Sequence, residues 1–181
     1  KRTLRLPDDA EIDRQLREMP PGLHGLTILP LFAGERSTEW RTDTRGAIAG
    51  LGSSTTPMEI LHAALESVAL RFRSVYEIME DSFGVPREVV GSGGALLGSP
   101  VWTQMMADTL GHDVVLCREK EATSRGAALL ALERLGAIPD VAASAVDLGD
   151  TVKPDLARRE LYSQALVRQR RFYRKIFEER W

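Results

Sequence analysis

The sequence predicts an α/β fold in which short strands feed helices that pack against a sheet. Three observations predict it. The apolar run 85–90 ends in Gly91, Ser92, Gly93, Gly94 and Ala95, and an amphipathic segment opens at Pro100, the order of a strand, a tight glycine turn and a helix. The small-residue run 46–51 leads in the same way to a helix opened by Thr56 and Pro57. The run 114–116 leads to a third helix over 121–132.

Asp8 reads as the cap of a first short helix, with Glu11 three residues on completing a capping box and Ile12, Leu16 and Met19 on one face. Pro20, Pro21 and Gly22 stop it, and the β-rich run 26–32 is assigned to a strand. A polar loop over 34–45 carries Glu35, Arg36, Trp40, Asp43 and Arg45 before the strand at 46–51. In the long helix from Pro57, a wide apolar band from Ile60 and Ala63 through Leu70 and Phe72 to Ile78 is expected to bury against a sheet. Ser99 caps the helix after the glycine turn, Pro100 loses no hydrogen bond at the first helical position, and Gly111 ends it in the left-handed conformation. Gly126 inside the 121–132 helix costs about 1 kcal/mol relative to alanine. With Ala122, Ala127 and Ala128 beside it, it predicts a smooth face that approaches a neighbouring backbone or a ligand. The segment 141–152 reads as a small-residue connector, and a final helix from Asp155 sets Leu161, Tyr162, Ala165, Phe172, Tyr173, Ile176 and Phe177 on one stripe, its arginines solvated.

At 181 residues the chain can bury one sizeable core, or one domain plus a helical appendage. Its 24 basic and 26 acidic residues give a net charge of −2, which argues against general attraction to nucleic acid or to an anionic membrane. No apolar run approaches the roughly 20 residues of a membrane-spanning helix, and the polar start carries no signal peptide. Cys117, the one cysteine, lies in an apolar run and reads as a buried strand residue of a reduced, cytoplasmic protein. His24, His62 and His112 fall in a turn, a helix and a loop without an HxxxH spacing, so no protein-bound transition metal is expected.

The glycine turn is the candidate site. It brings bare backbone amides and a helix end to the tip of a strand, which suits a phosphate or a flat nucleotide ring. The dinucleotide pattern GxGxxG fails at Leu96, and the Walker pattern fails where Ser99 and Pro100 follow Gly98. From the residues alone, an ordinary α/β connection and a nucleotide turn both remain open.

Two stretches together resemble a known family. Gly46-x-Ile48-x-Gly50-Leu51, followed by Glu59-Ile60-x-x-Ala63-Ala64-Leu65-Glu66, resembles the second signature of the FGGY carbohydrate kinases. The segments 92–111 and 121–136 are similar to that family's adenosine segment and the helix after it, and the run 29–37 with Trp40 leans towards the gluconokinase and xylulokinase branch. The resemblance covers about residues 20 to 136. It implies a ribonuclease H-like lobe of the actin, Hsp70 and sugar kinase type, with a mixed sheet flanked by helices. It also implies ATP and Mg²⁺ as cofactors and transfer of the γ-phosphoryl group to a sugar or polyol hydroxyl, gluconate first and xylulose second.

Carried over by position, Gly93, Gly94 and Ala95 resemble the family's adenosine contacts, with Gly98 and Ser99 as further nucleotide contacts. Trp102 reads as core packing, Glu121 as a cap or anchor of its helix, and Glu35 and Arg36 as lining either an interlobe cleft or a loop salt bridge. The expected organisation is a helix and turn over 1–25, a carboxy-terminal ATP-binding lobe over 26–153 and a packing helix over 154–181. Neither the amino lobe, with its phosphate loop and sugar pocket, nor the family's general base matches any part of this sequence, so no catalytic residue is assigned and the chain alone is expected to be inactive. An unpaired sheet edge would favour a homodimer. The competing reading is a non-enzymatic actin-like nucleotide sensor, which gives no reason for the pattern from Gly46 to Glu66.

Overall fold

The computed structural model describes residues 4–119 and 121–178, so the extreme ends of the terminal segments expected at 1–25 and 154–181 lie outside the described residues. The first helix, α1 (Asp9–Glu18), starts where expected because the Asp8 carboxylate accepts the Glu11 amide at 2.9 Å. Strand β1 (Thr27–Leu29) is shorter than the expected 26–32, since Pro30 has no amide to continue a ladder. It pairs antiparallel with β2 (Ala47–Ala49), Ile28 opposite Ile48. The longest helix, α2 (Pro57–Phe83), opens on a complete capping box, in which Thr56 Oγ1 accepts the Glu59 amide and the Glu59 carboxylate accepts the Thr56 amide.

A second sheet has the order β3 (Val89–Gly91), β4 (Val114–Cys117), β5 (Leu148–Val152). The crossover between β3 and β4 runs through a single helical turn, α3 (Gly94–Leu97), and through α4 (Pro100–Leu110), so those strands are parallel, with Val89 opposite Val114. Strand β5 runs antiparallel to β4, which makes the sheet mixed. The connector expected at 141–152 is therefore partly strand. Its sequence, Leu-Gly-Asp-Thr-Val, has no apolar run, and the ladder with β4 supplies the order that local pattern does not.

The largest core cluster lies between helices: Ala69 and Leu70 of α2 meet Met105 and Met106 of α4 and Tyr162, Ala165 and Leu166 of α6 (Leu156–Phe177). This corrects the expected band. Helix α2 also meets Ile28 of β1 and the preceding Leu26 through Ala63, and it buries Ala63, Ser67 and Leu70 of the expected band together with Ala69 and Ser74, while Phe72 and Ile78 are about half exposed. Small side chains let α4 and α6 approach closely, which the bulky residues would prevent. Cys117 is buried in β4 as expected. Helix α5 (Ala122–Arg134) departs from expectation twice: none of its residues is buried, and a Cβ at Gly126 would meet nothing within 4 Å, so no close approach of a neighbour requires glycine there. Glu121 takes the cap position without a side-chain capping bond.

Candidate functional site

The glycine turn is built by close contact on one side and openness on the other. A Cβ at Gly91 would lie 2.9 Å from a Leu96 methyl and 3.0 Å from a Val114 methyl, so a side chain at the end of β3 would have to displace both. Gly93 has φ of 100°, a conformation that disfavours any L side chain. A Cβ at Gly93 or Gly94 would meet nothing within 4 Å, and Ala95 is exposed. These three residues line a cavity of about 430 Å³ whose apolar walls include Phe72, Trp102 and Met106. Trp102 packs on the main core, as expected, and also lines this cavity, and its buried indole N–H has no acceptor among the described residues. Gly98 and Ser99 are not brought to it. Gly98 ends α3, where a Cβ would lie 2.9 Å from the Gly94 carbonyl, and Ser99 Oγ accepts the Trp102 amide and donates to Asp13 at 3.4 Å.

Glu35 is buried, 3% exposed, at the inner wall of a cavity of about 350 Å³ that Arg36 and Arg71 also line. Its carboxylate accepts from Thr38 Oγ1 at 2.7 Å, from the Tyr173 hydroxyl at 2.8 Å and from the Arg71 guanidinium, so it staples the 34–45 loop to α2 and α6, whereas Arg36 is exposed. Burial above all, and then the Glu35 carboxylate, push the Tyr173 phenol well above its usual range. Two of the three histidines come together, while His112 pairs with the Tyr76 hydroxyl elsewhere. His24 and His62 stack edge to face with ring centroids 5.4 Å apart, and Glu66 Oε2 lies 2.8 Å from His24 Nε2. The signal that could have found them is the spacing of His62 and Glu66, four residues apart and hence one turn apart on α2.

Residues 7–133 match the C-terminal domain of the FGGY family of carbohydrate kinases. The chain belongs to the FGGY family of carbohydrate kinases. A glycerol kinase of Mycobacteroides abscessus is 39% identical over 107 residues, covering 59% of this chain and 21% of that protein. The gluconokinase of Bacillus subtilis is 32% identical over 133 residues, 74% of this chain and 26% of its own. Among solved structures, xylulose kinase from Rhodospirillum rubrum superposes with a TM-score of 0.75 at 30% identity, covering 92% of this chain and 34% of that one. Glycerol kinase from Plasmodium falciparum, solved with ADP, shares the fold with a TM-score of 0.67 at 21% identity, covering 92% of this chain and 34% of that one. The chain thus spans about a fifth to a quarter of the curated relatives and about a third of the solved kinases.

Within this FGGY domain, the signature glycines have structural work. Gly46 leaves room for the Phe32 ring, which a Cβ would meet at 2.5 Å. Gly50 takes φ of 89° beside the Gly25 carbonyl, with which a Cβ would collide. The signature therefore holds the first hairpin against the 22–26 turn. No helix of the described residues is long and apolar enough to cross a membrane.

Proposed function

We propose that this FGGY domain is the nucleotide-holding lobe of an ATP-dependent kinase that phosphorylates a hydroxyl of a sugar acid, ketose or polyol, gluconate being the first choice and xylulose the second. The observation that carries the reading is the uncovered main chain at Gly93, Gly94 and Ala95, facing a cavity with apolar walls. A purine is flat and largely apolar, and it can lie against backbone only where side chains are missing. Trp102 adds an aromatic wall to the same cavity. Gly98 and Ser99 shape the turn rather than touch the nucleotide. The choice of gluconate rests on the 29–37 run and on the gluconokinase relative.

Phosphoryl transfer needs in-line positioning, a metal ion across the phosphates and commonly a carboxylate to take the hydroxyl proton. ATP would bring Mg²⁺ on its phosphates, and this chain's part is to fix the nucleoside end. Lacking a general base costs about 10²- to 10⁴-fold. Lacking the surface that positions the sugar removes roughly 7 to 11 kcal/mol. Coupled ADP release, measured with ATP, Mg²⁺ and gluconate, xylulose or glycerol in turn, tests this. A longer protein that joins this domain to an amino lobe should turn over at least one of them, and the isolated chain none. Substrate-dependent ADP from the isolated chain, or none from the longer protein with any sugar, would contradict it.

A further inference from the structure

The His24, His62 and Glu66 cluster lies on the turn before β1 and in the early turns of α2, elements separate from the glycine turn between β3 and α4. Its side chains are nearly sealed, with 1% exposure for each histidine and 4% for the glutamate. Two of the three already have hydrogen bonds. The Gly22 amide donates to Glu66 Oε1 at 2.9 Å, the Leu26 amide donates to His24 Nδ1 at 3.0 Å, and His24 Nε2 then carries the proton that it shares with Glu66 Oε2. His62 has nothing: neither Nδ1 nor Nε2 finds a partner among the described residues, and Nε2 stops 3.7 Å short of Glu66 Oε1. A buried imidazole with both nitrogens unpaired is costly, and such a group in a native structure points to a water or an ion as its partner.

We infer that His24 Nε2, His62 Nε2 and the Glu66 carboxylate form a binding site for one divalent transition ion of the zinc type. The three ligand atoms lie within 4.8 Å of one another. A tetrahedral zinc ion with bonds near 2.1 Å needs ligand separations of roughly 3.4 Å. His24 Nε2 lies 2.8 Å from Glu66 Oε2 and His62 Nε2 3.7 Å from Glu66 Oε1, so the two rings flank one carboxylate and seating an ion requires all three side chains to shift about a common centre. Two imidazoles and one carboxylate suit zinc and its neighbours, not Mg²⁺, which prefers oxygen, so this site differs in chemistry from the ion carried by a nucleotide. Glu66 supplies negative charge against the Arg158 guanidinium, whose field also reaches His62. Coordination moves the His24 ring proton from Nε2 to Nδ1, where it would face the Leu26 N–H, so the ring must turn off that amide as the metal bonds form. The ion would tie the 22–26 turn to α2 and so brace the hairpin that the signature glycines hold.

The test is cobalt titration of the protein, expressed without a histidine tag and stripped with chelator. Tetrahedral Co²⁺ should give visible d–d bands that saturate at one equivalent and that zinc abolishes. His62→Leu removes a side chain with no hydrogen bonds, so it should fold, lose the bands and bind at least about 100-fold more weakly, the upper end of what loss of a supporting partner costs. Glu66→Gln, which keeps an acceptor for Gly22, should lose the bands as well, and it decides the matter if His62→Leu does not fold. Absence of bands in the parent protein, or bands that survive in the variants, would overturn the site.

Discussion

Glu35 can stay buried as a charge because three donors converge on it: Arg71, Thr38 and Tyr173. Removing the charge leaves Arg71 facing a neutral amide, and since Arg71 is partly exposed the cost falls below that of a sealed pair. Glu35→Gln should destabilise by about 2 kcal/mol in urea unfolding, and an unchanged midpoint would show that the staple does not hold the loop. Asp108 is the opposite case. It is fully buried, and burial raises its carboxyl above the usual range against the lowering effect of the Asp155 amide and the Gln104 side chain, both of which donate to Oδ1, while Oδ2 has no partner. A carboxyl whose folded pKa is raised holds its proton more tightly folded than unfolded, so ionisation subtracts stability above that pKa and acidification restores it. Asp108→Asn should therefore stabilise at pH 7 by on the order of 1 kcal/mol, an advantage gone by the ordinary value of 3.8. Equal differences at both pH values would contradict the burial explanation. The salt bridge of Glu35 was one of two readings the sequence left open, without its partners, and the role of Asp108 was not legible at all. Arg71 and Tyr173 are 36 and 138 positions from Glu35, and His24 is 42 from Glu66, separations at which local pattern carries no information.

At the scale of elements, helix starts were legible to the residue, whereas four of the five strands were legible in place but not in length and the fifth was missed. The starts of α2, α4 and α6 follow from the Thr56, Ser99 and Asp155 caps, whose hydrogen bonds involve only near neighbours. Strands β1 and β2 came out as three residues each, and β5 was read as connector, because a ladder depends on a partner that periodicity cannot see. The glycines divide the same way. Gly50→Ala sets a side chain at φ of 89° against the Gly25 carbonyl and should cost at least about 2 kcal/mol. Gly126→Ala sits in open space within a helix and should add about 0.5 to 1 kcal/mol. Thermal denaturation of the two variants side by side checks this, and equal effects would contradict the assignment of Gly50 to the hairpin.

For the whole molecule, the α/β architecture and the FGGY membership were legible because the signature spacing records contacts between the first hairpin and α2. Of the residues proposed to hold the nucleotide, Gly93, Gly94 and Ala95 line the cavity, while Gly98 caps α3 and Ser99 caps α4. Placing Trp102 on the cavity needed the packing of α4 against α2, which no local motif states. Gly94 offers the sharpest probe, because a side chain there has free space and, unlike at Gly93, no unfavourable φ to overcome. Calorimetric titration of ATP with Mg²⁺ into the chain and into Gly94→Trp tests the central claim. Saturable binding that weakens at least about tenfold in the variant, equivalent to 1.4 kcal/mol, with an unchanged unfolding temperature, is the predicted result. The same affinity in both proteins, or no binding to the parent chain at millimolar ATP, would contradict it.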